Sequence, residues 1–474
     1  MTSFLVGSII ILTDWVKLSF TQISGVFMDK DFIIEGTHDY SSEKDYVEPS
    51  EVIKNKLEEF KDMKLGFMVH FGLYNQMGLI ASWGLVDAEK SWSRKANENG
   101  DKPTWSEDGA QIRKDYFNLK KSFNPIRFNP DDWAELASNN CFKYLIFTTK
   151  HHDGFCMWDT SQTDFKVTDI ECPFSTDEKA DIVKHVFNAF RKKGLAIGAY
   201  FSKPDWHNEN YWEKDFSGET TRMPTYDIIK EPKKWQAFTE YTHKQMEELI
   251  KDYGKVDILW LDGGQVAKKH GLDIKLEDIV PKLREINPEL IVADRTAGGE
   301  FENYITPEQT IPEKVMNAPW ESCLTLGSDF HYVYDDEYKS CNELVEKLMD
   351  VVCKGGNLAL NVSPQPDGRM PLNAIKALNE FGCWLKKCGE AVFKTRPCAP
   401  YKVGDIFYTQ TRANIYVTAK NFKGGFIPLE QKITKVELLN KNKVLGFKEV
   451  NGGIKIKPSI NDGEVYSVFK LYKA

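Results

Sequence analysis

Seven short runs of β-branched, leucine and aromatic residues recur along the chain, and they restrict its fold more than any other feature. They are Leu65–Gly72 (LGFMVHFG), Tyr144–Thr149 (YLIFTT), Ala196–Ser202 (AIGAYFS), Val256–Leu261 (VDILWL), Leu290–Ala293 (LIVA), Trp320–Thr325 and Leu358–Val362 (LALNV). Strands that are apolar on both faces need cover on both faces, which is the signature of a parallel sheet. Amphipathic stretches of helical length separate them, at 131–139, 179–193, 233–253, 276–286, 340–353 and 371–387. Asp131 and Asp132 after Pro130 signal a helix start, and Gly194 after Lys192-Lys193 a helix stop. Repeated βα units over this span predict an α/β fold, a (β/α)8-like barrel. An open doubly wound sheet is the alternative, but nothing resembles its G-x-G-x-x-G phosphate turn.

Two stretches depart from that alternation. Residues 85–125 hold no clear strand and are rich in charge and Trp, which reads as a long insertion near the barrel mouth. After Thr395-Arg396-Pro397 come short alternating runs (Asp405–Thr411, Asn414–Ala419, Lys435–Leu439, Val465–Leu471) separated by Gly, Asn and Lys turns. They predict a small antiparallel β-sandwich. The expected organisation is therefore a barrel over 28–396 and a sandwich over 397–474, preceded by residues 1–27. Those first residues include an apolar run, Phe4–Leu12, without a preceding Lys or Arg. It is too short to span a bilayer, so no stable membrane span is expected. It also lacks the basic region and cleavage site of a signal peptide. We read it first as an upstream extension with Met28 as the natural start, second as a signal peptide, and last as an anchor.

Composition narrows the function classes. The chain carries 62 Lys and Arg against 70 Asp and Glu, a net charge of −8, and no basic run, so no nucleic-acid partner is expected. Nine Cys in 474 residues are too sparse for a disulfide scaffold and odd in number. They point to a reducing compartment, hence to a cytoplasmic rather than secreted protein.

The informative residues follow the strands, where the loops of a barrel converge on one mouth. The first strand runs into His70-Phe71-Gly72, the second into Lys150-His151-His152-Asp153-Gly154, and the third into Ser202-Lys203-Pro204-Asp205-Trp206-His207. The fourth gives Trp260-Leu261-Asp262-Gly263-Gly264, the fifth Asp294-Arg295, and the sixth region Trp320-Glu321. Aromatic and ionisable residues gathered there suit a site that stacks on and hydrogen-bonds a sugar. A carboxylate straight after a buried strand, as at Asp262, is costly unless it faces a cleft or is paired. His151-His152 could ligate a metal, but no H-E-x-x-H or C-x-x-C partner accompanies them, and no metal or other cofactor is expected.

Eight segments taken in order resemble glycoside hydrolase family 29, the α-L-fucosidases: GFMVHFGLY, TTKHHDGFCMWD, YFSKPDWH, ILWLDGG, ADRTAGG, YITPEQTIP, PWESCLTLG and KGGNLALNVSPQPDGRMP. The resemblance runs from about Leu65 to Arg396. It implies a retaining, metal-independent exo-hydrolysis of terminal α-L-fucosyl units from fucosylated glycans or glycoconjugates, through a covalent fucosyl-enzyme. Asp262 falls on the family's nucleophile. Glu308 matches the acid/base position of one branch and Glu321 that proposed in another, with Glu308 favoured. His70, His151, His152, Tyr200, Trp260 and Arg295 fall on sugar-site positions, with Trp83 a further contact and Phe330 an apolar wall for the C5 methyl. One departure stands out: many members carry Glu-Trp shortly after the HFG segment, where this chain has Ser82-Trp83. That departure keeps two alternatives open. One is a related glycosidase with another sugar preference, such as an α-L-galactoside. The other is a catalytically silent carbohydrate-binding homologue.

Overall fold

The computed structural model describes residues 40–94, 106–457 and 464–474. Residues 1–27, and with them the choice between extension and leader, lie outside the described residues. Seven parallel strands form the central sheet: β1 (Leu65–Val69), β2 (Tyr144–Lys150), β3 (Ala196–Ser202), β4 (Ile258–Asp262), β5 (Ile291–Asp294), β6 (Glu321–Thr325) and β7 (Asn357–Val362). Their order is β5-β4-β3-β2-β1-β7-β6, and every pairing is parallel. Nearly every strand residue is buried, as their unbroken apolar character requires.

The barrel differs from an eightfold ideal at one seam. Between β5 and β6 an irregular segment completes the wall, with isolated bridges Ala293 to Glu302, Ile305 to Trp320 and Glu308 to Cys323. Pro307 and Pro312 within it have no N–H to give a ladder, so a regular strand cannot form there.

Alternate residues from around the sheet meet in one interior cluster that includes Met68, Ile146, Tyr200, Trp260, Ala293, Cys323 and Ala359. Helix Glu51–Met63, not anticipated from the sequence, closes the cluster from below with Ile53, Leu57 and Phe60. Spaced three and four apart, these residues share one helix face. Phe60 stacks on Tyr304 of the seam with ring centroids 4.6 Å apart. The other helices flank the sheet at Pro130–Asn139, Ile182–Lys192, Pro232–Asp252, Leu276–Ile286, Cys341–Cys353 and Leu372–Cys388, each within a few residues of expectation. Of the insertion, the described part forms short turns and a helix over Gly109–Asn118.

One close approach inside the barrel has a measurable consequence. A Cβ added to Gly66 on β1 would lie 2.2 Å from the Tyr144 ring, whose hydroxyl is tied to Glu321. Gly66→Ala is expected to cost roughly 1–3 kcal/mol of stability, read by chemical denaturation.

From Arg396 the chain builds two antiparallel sheets. Six strands (Arg396–Val403, Ile406–Gln410, Asn414–Lys420, Ile433–Leu438, Lys443–Leu445, Tyr466–Lys473) face three (Gly425–Pro428, Phe447–Val450, Gly453–Ile456). Val417, Val436, Ile454, Ile456 and Phe469 fill the space between them. The six-stranded sheet docks on the barrel through Tyr416, Leu439 and Val468 against Cys388, Ala391 and Trp384. All nine cysteines are free thiols. No helix among the described residues is long and apolar enough to cross a membrane.

Candidate active site

The strand ends and the seam line a cavity of about 690 Å³ at the mouth of the barrel. His70, Trp83, His151, His152, Tyr200, Trp260, Asp262, Arg295, Glu308 and Phe330 all face it. Glu321 does not.

Asp262 is the last residue of β4. Its Oδ1 accepts from Arg295 Nη1 at 2.6 Å, and its Oδ2 accepts from the Tyr200 hydroxyl, with His152 Nε2 3.8 Å away. Burial opposes its charge, but the Arg295 guanidinium outweighs burial and holds the carboxyl well below the usual range. The same guanidinium gives its other terminal nitrogen, Nη2, to Glu308 Oε2 at 2.6 Å. Glu308 rides on the seam with its side chain 39 % exposed, so its free oxygen reaches solvent and the cavity together. Behind this arrangement, Arg295 lies over the Trp260 ring at 4.4 Å and Tyr200 stacks on Trp260 at 5.1 Å.

Glu321 sits at the start of β6, the end away from the mouth, and is fully buried. It accepts from Tyr144 Oη (2.6 Å), Trp260 Nε1 (3.0 Å) and Tyr304 Oη (3.3 Å), and burial pushes its carboxyl up to about 7. Neither Arg295 nor a histidine is hydrogen-bonded to it.

The three histidines are held from behind. His70 Nδ1 meets Asn361 Oδ1 at 2.7 Å, His152 Nδ1 meets Ser202 Oγ at 2.8 Å, and His151 Nδ1 meets Ser82 Oγ. Each ring therefore keeps Nε2 for a ligand. Burial lowers His70 and His152 to about 4 and His151 well below its ordinary value, so all three are neutral at pH 7. Ser82 is fully buried and lies behind His151 rather than in the cavity wall.

Because an unfolded chain takes up these protons near pH 6.5, the depressed values contribute stability that is lost as pH falls toward 4. Glu321 and Asp153, raised by burial to about 7 and about 6, act in the opposite sense. The histidine contribution is thus read as a difference. Between pH 6.5 and pH 4 the wild type is expected to lose roughly 3 kcal/mol more than His70→Gln, measured by denaturant unfolding at each pH.

Trp83 forms one wall, 5.1 Å from the His152 ring, and Phe330 another, 5.1 Å from the His70 ring. Two contributors escaped the sequence reading. Arg222 lines the cavity over the Trp83 ring at 4.9 Å and is ion-paired with buried Glu89 of the insertion. Its loop has no periodicity to mark it. Asn361 orients His70 and also donates to the Phe330 carbonyl at 2.8 Å. A lone amide inside LALNV was its only signal.

His151, His152 and Asp262 offer ligand atoms within 4.8 Å of one another, a spacing that could hold a cation. Arg295 already places positive charge on that carboxylate, which opposes a cation there.

Comparison with known proteins gives the same family from three directions. The family model for alpha-L-fucosidase matches residues 34–390. The alpha-L-fucosidase of Dictyostelium discoideum is 26% identical over 374 residues, covering 75% of this chain and 76% of that one. The plasma alpha-L-fucosidase of Rattus norvegicus is 27% identical over 415 residues, covering 81% and 83%. Among solved structures, the alpha-fucosidase of Thermotoga maritima in complex with a mechanism-based inhibitor superposes with a TM-score of 0.69 at 26% identity, over 93% of this chain and all of that one. Alpha-L-fucosidase isoenzyme 1 from Paenibacillus thiaminolyticus superposes at 0.72 and 24% identity, over 89% of this chain and 100% of that one, and supports the fold.

Proposed function

The chain belongs to the alpha-L-fucosidase family of glycoside hydrolases, and from that premise we propose that it removes terminal α-L-fucosyl units from glycans with retention, through a fucosyl ester on Asp262. The observation that carries this reading is the sharing of one guanidinium by Asp262 and Glu308 at the cavity mouth. Retaining hydrolysis needs one carboxylate ionised beside the anomeric carbon and a second carboxyl near enough to serve the glycosidic oxygen. Held below its ordinary range, Asp262 is the ionised one.

In the first step Asp262 attacks the anomeric carbon while Glu308 gives its proton to the leaving oxygen. Arg295 occupies Oε2 of Glu308, so Oε1 is the oxygen left to carry that proton. In the second step Glu308 takes a proton from water, which cleaves the ester and returns Asp262. Neutral His70, His151 and His152 present Nε2 to the sugar hydroxyls, while Trp83 and Phe330 cover its apolar faces. These groups form no covalent bond to the sugar. Their part is to fix the anomeric carbon against Asp262, where small displacements are costly in rate.

Initial rates on aryl α-L-fucoside and aryl α-L-galactoside test this proposal. Fucoside hydrolysis by the wild type is expected, and the Phe330 wall should favour it over the galactoside by roughly 1–3 kcal/mol in kcat/KM. Faster galactoside hydrolysis would reassign the sugar. Fucose binding without turnover of either substrate would make the protein a binding homologue. Loss of activity to a chelator would transfer the role of His151 and His152 to a metal.

A further inference from the structure

Arg295 is the residue on which both carboxylates depend, and the backbone that follows it is unusual. Thr296, a β-branched residue, sits in the left-handed region at φ 61° and is 4% exposed. Such a conformation stores strain, and it persists only where the surroundings enforce it. Nor does the Thr296 hydroxyl offset that strain, since its buried Oγ1 has no hydrogen-bond partner among the described residues.

The enforcing contacts are specific. Glu302, 2% exposed, accepts the Thr296 N–H at 3.2 Å on Oε1 and the Gly298 N–H at 2.7 Å on Oε2. Lys269 Nζ donates to the Thr296 carbonyl. On the other side, Thr296 presses on the segment that carries Asp262: a Cβ at Gly264 would lie 2.0 Å from Thr296 Oγ1. Two further ties bind the turn to the same strand ends. Arg295 N–H donates to the Leu261 carbonyl at 3.1 Å, and buried Lys203 is ion-paired with Asp294 while its N–H donates to the Asp262 carbonyl at 2.9 Å. A carboxylate is thus spent on two backbone amides just behind the guanidinium, and a strained threonine wedges against the loop in front of it.

We propose that the Thr296 turn, locked by Glu302 and Lys269, aims the Arg295 guanidinium so that it spans Asp262 and Glu308, which makes Thr296 and Glu302 positioning residues for the hydrolysis. The inference rests on the reading that those two carboxyls carry the reaction. A relaxed turn lets Arg295 swing toward one partner. Misplacement on that scale is expensive in rate without disturbing the sugar contacts made by the histidines.

The test uses Thr296→Gly, which relieves the backbone strain, Glu302→Gln, which deprives one of the two amides of its acceptor, and Thr296→Asn, whose side chain tolerates the left-handed region. For the first two we expect cooperative unfolding to persist, kcat on an aryl α-L-fucoside to fall at least about tenfold, and KM to stay within about threefold. The acid limb of kcat/KM is expected to move to higher pH. Asp262 is faced by Arg295, Tyr200, His70, His151 and His152, and of these only Arg295 is displaced by the substitutions. Thr296→Asn is expected to keep most of kcat. Crystal structures of the variants read the positioning directly: Arg295 should lose one of its two 2.6 Å contacts in Thr296→Gly and Glu302→Gln. Retention of both contacts would overturn the proposal whatever the rates, as would an unchanged kcat and acid limb in variants whose Arg295 has moved. A wild type that hydrolyses no fucoside would remove the functional reading, and the crystallographic comparison would still decide the positioning.

Discussion

Replacing Asp262 by glycine is expected to lower kcat on an aryl α-L-fucoside by on the order of 10⁴-fold while the protein stays folded. The variant loses the only carboxylate that both lines the cavity and is held ionised by Arg295 and Tyr200. Glu308 remains on the guanidinium, so Arg295 is not left as an unpaired buried charge, and the fold should survive. Azide, small enough to enter the space vacated by the side chain, should restore turnover and yield the fucosyl azide of inverted configuration. Full activity in Asp262→Gly would refute the nucleophile assignment.

The second large effect separates the two glutamates. For Glu308→Ala, hydrolysis of substrates with poor leaving groups is expected to fall by about 10²–10⁴-fold, the range for loss of general acid catalysis. Activated aryl fucosides, whose leaving group needs little protonation, should suffer far less in their first step, and azide should give a product of retained configuration. Glu321→Gln keeps an acceptor for Tyr144 and Trp260 and touches nothing in the cavity. Its losses should therefore be independent of the leaving group and appear mainly as reduced stability. If the leaving-group dependence appears in Glu321→Gln and not in Glu308→Ala, the assignment of the acid/base is reversed.

Much of this architecture was legible because the parallel sheet writes itself into the chain as doubly buried strands. Leu65–Val69, Ala196–Ser202 and Leu358–Val362 read directly from their apolar runs, and their order carries the site residues to one mouth. Helix Glu51–Met63 was passed over because its apolar face is narrow and its other positions are largely charged. In the C-terminal sheets, Gly425–Pro428 and Phe447–Val450 are four residues each, too short to show alternation. The site residues on strand ends were found through motif order, whereas Arg222 and Glu89 belong to segments without periodicity and meet only in the fold. Glu321 illustrates a different limit. Sequence places it one residue from Trp320 at a strand, but which end of that strand faces the mouth is a property of the assembled sheet.

The seam between β5 and β6 has a consequence for how such a protein can change over time. In a strand, inserting or deleting one residue turns every following side chain to the opposite face. Glu308 stands instead on an irregular stretch fixed by a few isolated bridges and interrupted by prolines. Length variation there shifts the carboxyl along the rim without scrambling the interior layer beneath it. The nucleophile, at the end of β4, has no such latitude. Descendants of this scaffold are thus free to relocate the proton donor, and with it the aglycones they accept, while the attacking group stays where the sheet puts it.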